Sequence, residues 1–245
     1  MRSNIPVINV YKKESIKPKL LVTQLLYGDS FKIIRKKGPW IKIKNNSDGY
    51  KGYIKKNNFT SDKKKTHKVY NLFANLYSKP GLKFKIKKKI SFGSRISITK
   101  KKNMFYKFDN FWIKKNDLRT IKYKTKDIFK GLSKFVGTKY LWGGKYFSGV
   151  DCSGLVQLFF NFNNKYCPRD SKDQINYFKK KINLKNIRKN DLIFWKGHVA
   201  IAISNKSLIH AYGPLKSTVS MPINKTIDKI YKTANLKVIG IRRIV

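Results

Sequence analysis

Apolar and polar residues alternate with a period of two through most of the first half of the chain. Gly28-Asp29-Ser30-Phe31-Lys32-Ile33-Ile34 opens one such segment, which runs on through Trp40-Ile41-Lys42-Ile43 and ends at Tyr53-Ile54-Lys55-Lys56-Asn57-Asn58-Phe59. Gly93-Ser94-Arg95-Ile96-Ser97-Ile98 opens a second, ending at Trp112-Ile113-Lys114-Lys115-Asn116-Asp117-Leu118. Such alternation sends one side of each strand into a core and the other into water. Breaks at Gly28, Gly38-Pro39, Asp48-Gly49, Pro80-Gly81 and Gly93 keep the runs short, the pattern of small antiparallel barrels. The echo between the segments is a degenerate internal repeat. It predicts one barrel over residues 1–60 and another over 68–119, joined by a polar, lysine-rich linker at 60–66.

The pattern changes after Lys122. Ile128, Phe129, Leu132, Phe135 and Val136 stand at helical spacing and predict a helix over 127–136. A glycine-rich loop follows, then an apolar stretch at 155–162 that reads as a buried helix. Residues 191–195, 198–204, 208–212 and 238–244 read as strands. Helices first and an antiparallel sheet afterwards predict an α+β domain over residues 124–245.

With 245 residues there is room for a catalytic domain and one or two small modules. Hydrophobic residues at 41% and aromatics at 14% suffice for packed cores, which excludes global disorder. The net charge of +45 would suit a polyanionic partner such as nucleic acid, a membrane surface or anionic wall material. The lysines, however, are spread through strands, turns and linker alike, which indicates a compositional origin for most of that charge. Nucleic acid is therefore not an expected partner. Apolar runs at 20–26 and 155–160 are too short to span a bilayer. The first 20 residues lack an apolar core followed by a small-residue cleavage site, so the expected location is the cytoplasm. The two cysteines, Cys152 and Cys167, are too few for a disulfide scaffold, and a reducing cytoplasm disfavours a bridge between them. No Cys-x-x-Cys or His-x-x-x-His spacing suggests zinc, and no cofactor is expected.

The phrase Tyr140-Leu141-Trp142-Gly143-Gly144, followed by Gly149-Val150-Asp151-Cys152-Ser153-Gly154-Leu155, carries the chemistry. A cysteine in the first turn of a helix sits among unpaired backbone N–H groups at the positive end of the dipole. That placement is expected to lower the Cys152 thiol pKa. The same N–H groups can receive an oxyanion forming beside the sulfur, and Asp151 can cap the helix. A cysteine nucleophile needs a base. Of three histidines, His67 adjoins the linker and reads as solvated, while His198 and His210 fall in consecutive strands. Residues paired across a hairpin share a face only when their numbers sum to an even value. A three-residue loop at Ser204-Asn205-Lys206 meets this condition by pairing Ala200 with His210; a two-residue loop would part the histidines. His198 is then the expected base and His210 its orienting partner. Taken singly, a buried cysteine is more often inert packing and a strand histidine a satisfied polar residue. Cys167 reads as packing. Arg169 suits either a substrate carboxylate or a structural ion pair. Trp40, Trp112, Trp142 and Trp195 read as core.

In combination, these residues resemble the NlpC/p60 family of papain-like cell-wall peptidases across residues 124–245. The resemblance rests on Tyr140-x-Trp142-Gly143-Gly144, Asp151-Cys152-Ser153-Gly154-Leu155, Pro168-Arg169-Asp170-Ser171-x-x-Gln174, Asp191-Leu192-Ile193-Phe194-Trp195, Gly197-His198-Val199-Ala200-Ile201 and Ile209-His210-Ala211, in order and at family spacing. The endings of the two alternating segments, with Asp48-Gly49-Tyr50-Lys51-Gly52-Tyr53, resemble bacterial SH3-like domains. Tandem SH3-like modules ahead of such a domain resemble the cytoplasmic branch that trims free muropeptides. The resemblance implies a catalytic Cys152 and His198 with His210 orienting the latter, and Tyr140 beside the oxyanion. It also implies substrate subsites lined by Asp151 and Ser153, to which Arg169 is a candidate addition on its own chemistry. The implied reaction is hydrolysis of the γ-D-glutamyl–diamino acid amide in peptidoglycan stem peptides or muropeptides, often with a free N-terminal L-Ala. An acidic residue and a tyrosine of the first barrel bind that amine in the family, roles that fall loosely on Asp29 and Tyr50. Ala200 stands where the family usually has glycine, and Tyr212-Gly213-Pro214 is peculiar to this chain. Two competing functions remain: a binding protein whose basic barrels hold wall polymer or nucleic acid, and an acyltransferase using the same thioester.

Overall fold

The computed structural model describes residues 1–56 and 59–244; Asn57 and Asn58, near the end of the first alternating segment, and Val245 lie outside the described residues. Contacts divide the chain into two units, Met1–Lys124 with Gly143–Phe147, and Thr125–Trp142 with Ser148–Val245.

The first unit is built of short antiparallel strands. One five-stranded sheet has the spatial order Leu21–Leu26, Val7–Tyr11, Lys51–Lys55, Trp40–Asn45, Phe31–Lys37. Its inward positions, Ile8, Val10, Leu25, Phe31, Ile41, Ile43 and Ile54, form one buried cluster, as period-two alternation requires. Each such side chain contributes roughly 1.5–3 kcal/mol by leaving water. A second five-stranded sheet runs Lys85–Ser91, Phe73–Tyr77, Phe111–Lys114, Phe105–Phe108, Lys100–Lys102, beside a three-stranded one of Arg95–Ile96, His67–Val69 and Leu118–Thr120.

The repeat is legible in the turns. Gly28 and Gly93 have φ of +83° and +81°, and the next residue of each donates its N–H to the carbonyl three positions back, Asp29 to Leu26 and Ser94 to Ser91, both at 3.0 Å. Gly28 admits no side chain, because a Cβ there would lie 1.7 Å from the Arg95 carbonyl oxygen. Tyr27 joins the core of the second repeat with Val69, Leu76, Ile90 and Phe108. Its hydroxyl donates to the Asp109 carboxylate, which the buried Arg2 guanidinium also grips at 2.8 and 2.9 Å. This shared carboxylate fastens the N-terminal strand to the second repeat.

The second unit is α+β, as expected. Its helices are α1 (Cys152–Phe162), α2 (Ser171–Tyr177) and α3 (Ile223–Ala234). Its strands are β1 (Lys180–Ile182), β2 (Leu192–Trp195), β3 (His198–Ala202), β4 (Ser207–Tyr212), β5 (Ser217–Pro222) and β6 (Gly240–Arg243). They form one antiparallel sheet in the order β1-β6-β2-β3-β4-β5. Ile193, Trp195, Ala200, Ala202, Leu208 and Tyr212 on one face pack with Ile223 and Ile230 of α3. The predicted helix at 127–136 is instead a set of turns with one 3₁₀ turn at Leu132–Phe135, because Gly131 takes a left-handed φ of +87°. Helix α3 went unread, although Ile223, Ile227, Ile230 and Ala234 stand at helical spacing. Among the described residues no helix is long and apolar enough to cross a membrane.

Candidate active site

Helix α1 begins at Cys152 because Asp151 caps it, its Oδ1 accepting from the Gly154 N–H at 2.7 Å. Arg169, only 2% exposed, clamps that carboxylate with both arms of its guanidinium at 3.0 and 2.6 Å and donates to the Ser153 hydroxyl at 3.0 Å. Gln174 donates to the carbonyls of Ser153 and Pro168, each at 2.9 Å. The Pro168–Gln174 phrase thus holds the head of α1 rigid, and the ion-pair reading of Arg169 is the one formed here.

The Cys152 sulfur is reached by the backbone N–H groups of Ser153 and of Val199, the residue after His198. Burial, followed by the charge of Asp151, pushes the Cys152 thiol up to about 12, while those N–H groups and Arg169 act in the other direction. This corrects the expected lowering. With 6% exposure, desolvation outweighs what a helix terminus offers a thiolate.

The hairpin takes the register demanded by the parity argument. Ile201 pairs with Ile209 and Ala202 with Leu208, and the same register sets Ala200 opposite His210 and His198 opposite Tyr212. Ser204-Asn205-Lys206 form the loop, closed by the Ile203 N–H on the Ser207 carbonyl at 2.9 Å. Nε2 of His198 lies 2.8 Å from Nδ1 of His210. Burial lowers His198 to about 4, opposed by Asp151. Burial, then the neighbouring His198, lowers His210 to about 3. Both rings are therefore neutral at pH 7.

Tyr140 donates its backbone N–H to the Lys216 carbonyl at 2.9 Å, and its ring lies against Gly213. Its phenol is raised by burial first and then by the charges of Cys152 and Asp151, so it stands in their field. The structure thus gathers Tyr140, Asp151, Cys152, Ser153, Arg169, His198 and His210 within the second unit. Asp29 and Tyr50 belong to the first. There the Asp29 carboxylate accepts from the Leu26 N–H at 2.9 Å and the Tyr50 N–H donates to Asp48 at 2.9 Å.

Other expectations divide. Cys167 is buried, its carbonyl held by Gln157 at 3.0 Å, and Trp195 and Trp112 are buried. Trp142 is not core: it is 58% exposed. Trp40 is half-buried against the edge of Tyr11. His67 is also half-buried, paired in a strand and lying edge-on to Tyr106, instead of solvated.

Residues 137–237 match the NlpC/P60 family, and residues 18–59 match the bacterial dipeptidyl-peptidase SH3 domain. A gamma-D-glutamyl-L-lysine dipeptidyl-peptidase of Bacillus cereus is 26% identical over 238 residues, covering 83% of this chain and 71% of its own length. One from Bacillus subtilis is 26% identical over 235 residues, covering 85% and 78%. The crystal structure of an NlpC/P60 family protein from Bacillus cereus shares the fold with a TM-score of 0.83 at 21% identity, covering 99% of this chain and 98% of that one. Together with the cysteine at the head of α1 and the histidine pair on the hairpin, these matches show that the chain carries an NlpC/P60 domain behind a bacterial dipeptidyl-peptidase SH3 domain, the make-up of a cysteine peptidase of the cell-wall type.

Proposed function

We propose that the protein hydrolyses the γ-D-glutamyl–diamino acid amide of free stem peptides, with residues 124–245 as the catalytic domain and two SH3-like barrels at 1–60 and 68–119. The observation that carries this reading is the histidine pair at 2.8 Å, on the strand whose Val199 N–H meets the Cys152 sulfur. Nε2 of His198 is committed to His210, so Nδ1 is the nitrogen that takes the thiol proton. Sulfur attacks the γ-carbonyl carbon as that proton moves, because neither partner is charged at rest. The oxyanion meets the N–H of Cys152 at the helix head and the Tyr140 hydroxyl. His198 then gives its proton to the leaving amine as the C–N bond breaks, leaving a thioester. Water, deprotonated by the same nitrogen, hydrolyses the thioester and restores the thiol.

Asp151, Ser153 and Arg169 are proposed to line the glutamyl subsite, Arg169 acting on the substrate through the carboxylate and hydroxyl it holds. Asp29 and Tyr50 carry amine-binding roles by resemblance alone. The resemblance to muropeptide-trimming enzymes and the names of the Bacillus relatives support a free L-Ala-γ-D-Glu-diamino acid as substrate, cleaved in the cytoplasm during wall recycling. Mass analysis of the products should show the L-Ala-D-Glu dipeptide. Acetylating the L-Ala amine should lower kcat/KM more than about tenfold, since a charge-assisted contact is lost. Equal rates on free and acetylated tripeptide would refute the free-amine requirement.

The pH profile follows from the lowered histidines. The free enzyme needs His198 unprotonated, so the acid limb of kcat/KM should fall near pH 4 instead of at the ordinary histidine value near 6.5. The linkage has the same sign: folded His198 binds its proton less readily than unfolded His198. Its stabilisation is thus complete above about pH 6.5 and declines as pH falls toward 4. A limb centred at 6.5 would mean that the ring is not desolvated as described.

A further inference from the structure

A base at Nδ1 of His198 requires the proton of that ring to sit on Nε2. The bond at 2.8 Å then runs from His198 Nε2–H to His210 Nδ1, and His210 keeps its own proton on Nε2. That Nε2 is buried and has no hydrogen-bond partner among the described residues. His210 is itself only 1% exposed. An orienting histidine is ordinarily held by a hydrogen bond on its far nitrogen. Here none fixes the plane of the ring from that side.

Tyr212 occupies the face of the ring instead. It lies two residues along β4, on the same side of the strand, and stacks on His210 at 4.7 Å between centroids with only 11° between planes. The hairpin register sets it opposite His198, whose ring it meets at 5.8 Å and 55°. On the other flank of His198 stands Trp195, its partner in the β2–β3 pairing, at 5.6 Å. His198 thus stands between aromatic neighbours from the strands on either side, while His210 is stacked by Tyr212 of its own strand.

We infer that Tyr212 is a positioning residue for the proposed histidine pair: its ring, stacked on His210, fixes the plane in which Nδ1 faces His198, in place of a hydrogen bond to Nε2. The stacking belongs to the aromatic ring, so the hydroxyl is dispensable. The inference rests on the Cys152–His198 reading given above.

The test compares Tyr212→Phe, Tyr212→Leu and Tyr212→Met on the L-Ala-γ-D-Glu-diamino acid tripeptide, with circular dichroism to confirm folding. Phenylalanine should keep kcat within about threefold, whereas leucine and methionine should lower it at least about tenfold with KM within about twofold, as expected of a small misalignment. Two readouts stand apart from turnover. The rate of Cys152 alkylation by iodoacetamide at pH 7 should fall in the leucine and methionine variants and be rescued by phenylalanine. Nitrogen-15 imidazole spectra should show His210 as a single Nε2–H tautomer in the unaltered protein, a measurement that needs no variant. If the unaltered protein fails to cleave the tripeptide, the proposed substrate is wrong, while alkylation and spectra still decide the role of Tyr212. Phenylalanine as damaging as leucine, a folded leucine variant with unchanged kcat and alkylation, or a mixed His210 tautomer in the unaltered protein would each overturn it.

Discussion

Cys152→Ala and His198→Ala should each reduce tripeptide hydrolysis by at least about 10⁴-fold, measured as single-turnover release of L-Ala-D-Glu. Loss of the sulfur removes the only group that bonds to the carbonyl carbon, and no neighbour replaces it. Cys167 is buried, with its carbonyl tied to Gln157 and its sulfur beside the Pro168 carbonyl at 3.5 Å, so it offers no second nucleophile. Loss of His198 strands a thiol whose pKa lies near 12, with almost no thiolate at pH 7. The two losses should not multiply, because nucleophile and base act as one unit, and the double variant should match either single one. Folding should persist. Cys152→Ala vacates one small atom, at roughly 1 kcal/mol, and His198 stands at the start of a strand with part of its surface in water. Residual turnover above a hundredth of the original rate in folded Cys152→Ala would remove this cysteine from the chemistry.

The sequence was most informative where local spacing alone determines geometry. Alternation located the inward residues Ile8, Ile41, Ile43 and Ile54, because a strand permits only two faces. The even-sum condition on the hairpin anticipated the register of β3 and β4, because a single loop length decides it. Misreadings arose where an outcome depends on distant parts of the chain. Apolar spacing at 127–136 suggested a helix, yet the backbone preference of Gly131 overrode it. A helix terminus suggested an acidic thiol, yet burial depends on everything packed around Cys152 and points the other way. Trp142 looked like core by residue type and is exposed. Arg169 was open between two partners until folding brought Asp151 within 2.6 Å.

That pair carries the second large effect. Asp151 and Arg169 side chains are 8% and 1% exposed, so both charges have left water and depend on each other. Arg169→Leu should destabilise the second unit by about 3–5 kcal/mol, because it leaves a buried carboxylate without its cation. The Gly154 N–H and the Ser153 hydroxyl would still donate to Asp151, but neutral dipoles do not balance a full charge. Part of the loss should return in Asp151→Leu/Arg169→Leu, which removes both charges together. Helix α1 would then lack its cap at a cost near 1 kcal/mol, so recovery should stop short of the original stability. Cys167, 1% exposed, offers a reporter confined to this unit: its alkylation during denaturant pulses follows exposure of the catalytic core whatever the barrels do. A folded Arg169→Leu protein within about 1 kcal/mol of the original would show that the pair is not desolvated. A double variant as unstable as the single one would show that the loss is packing and not charge. Activity should divide differently from stability. The double variant should refold well and still hydrolyse poorly, because Ser153 loses its Arg169 contact and the first turn of α1, which carries Cys152, loses the clamp that aims it.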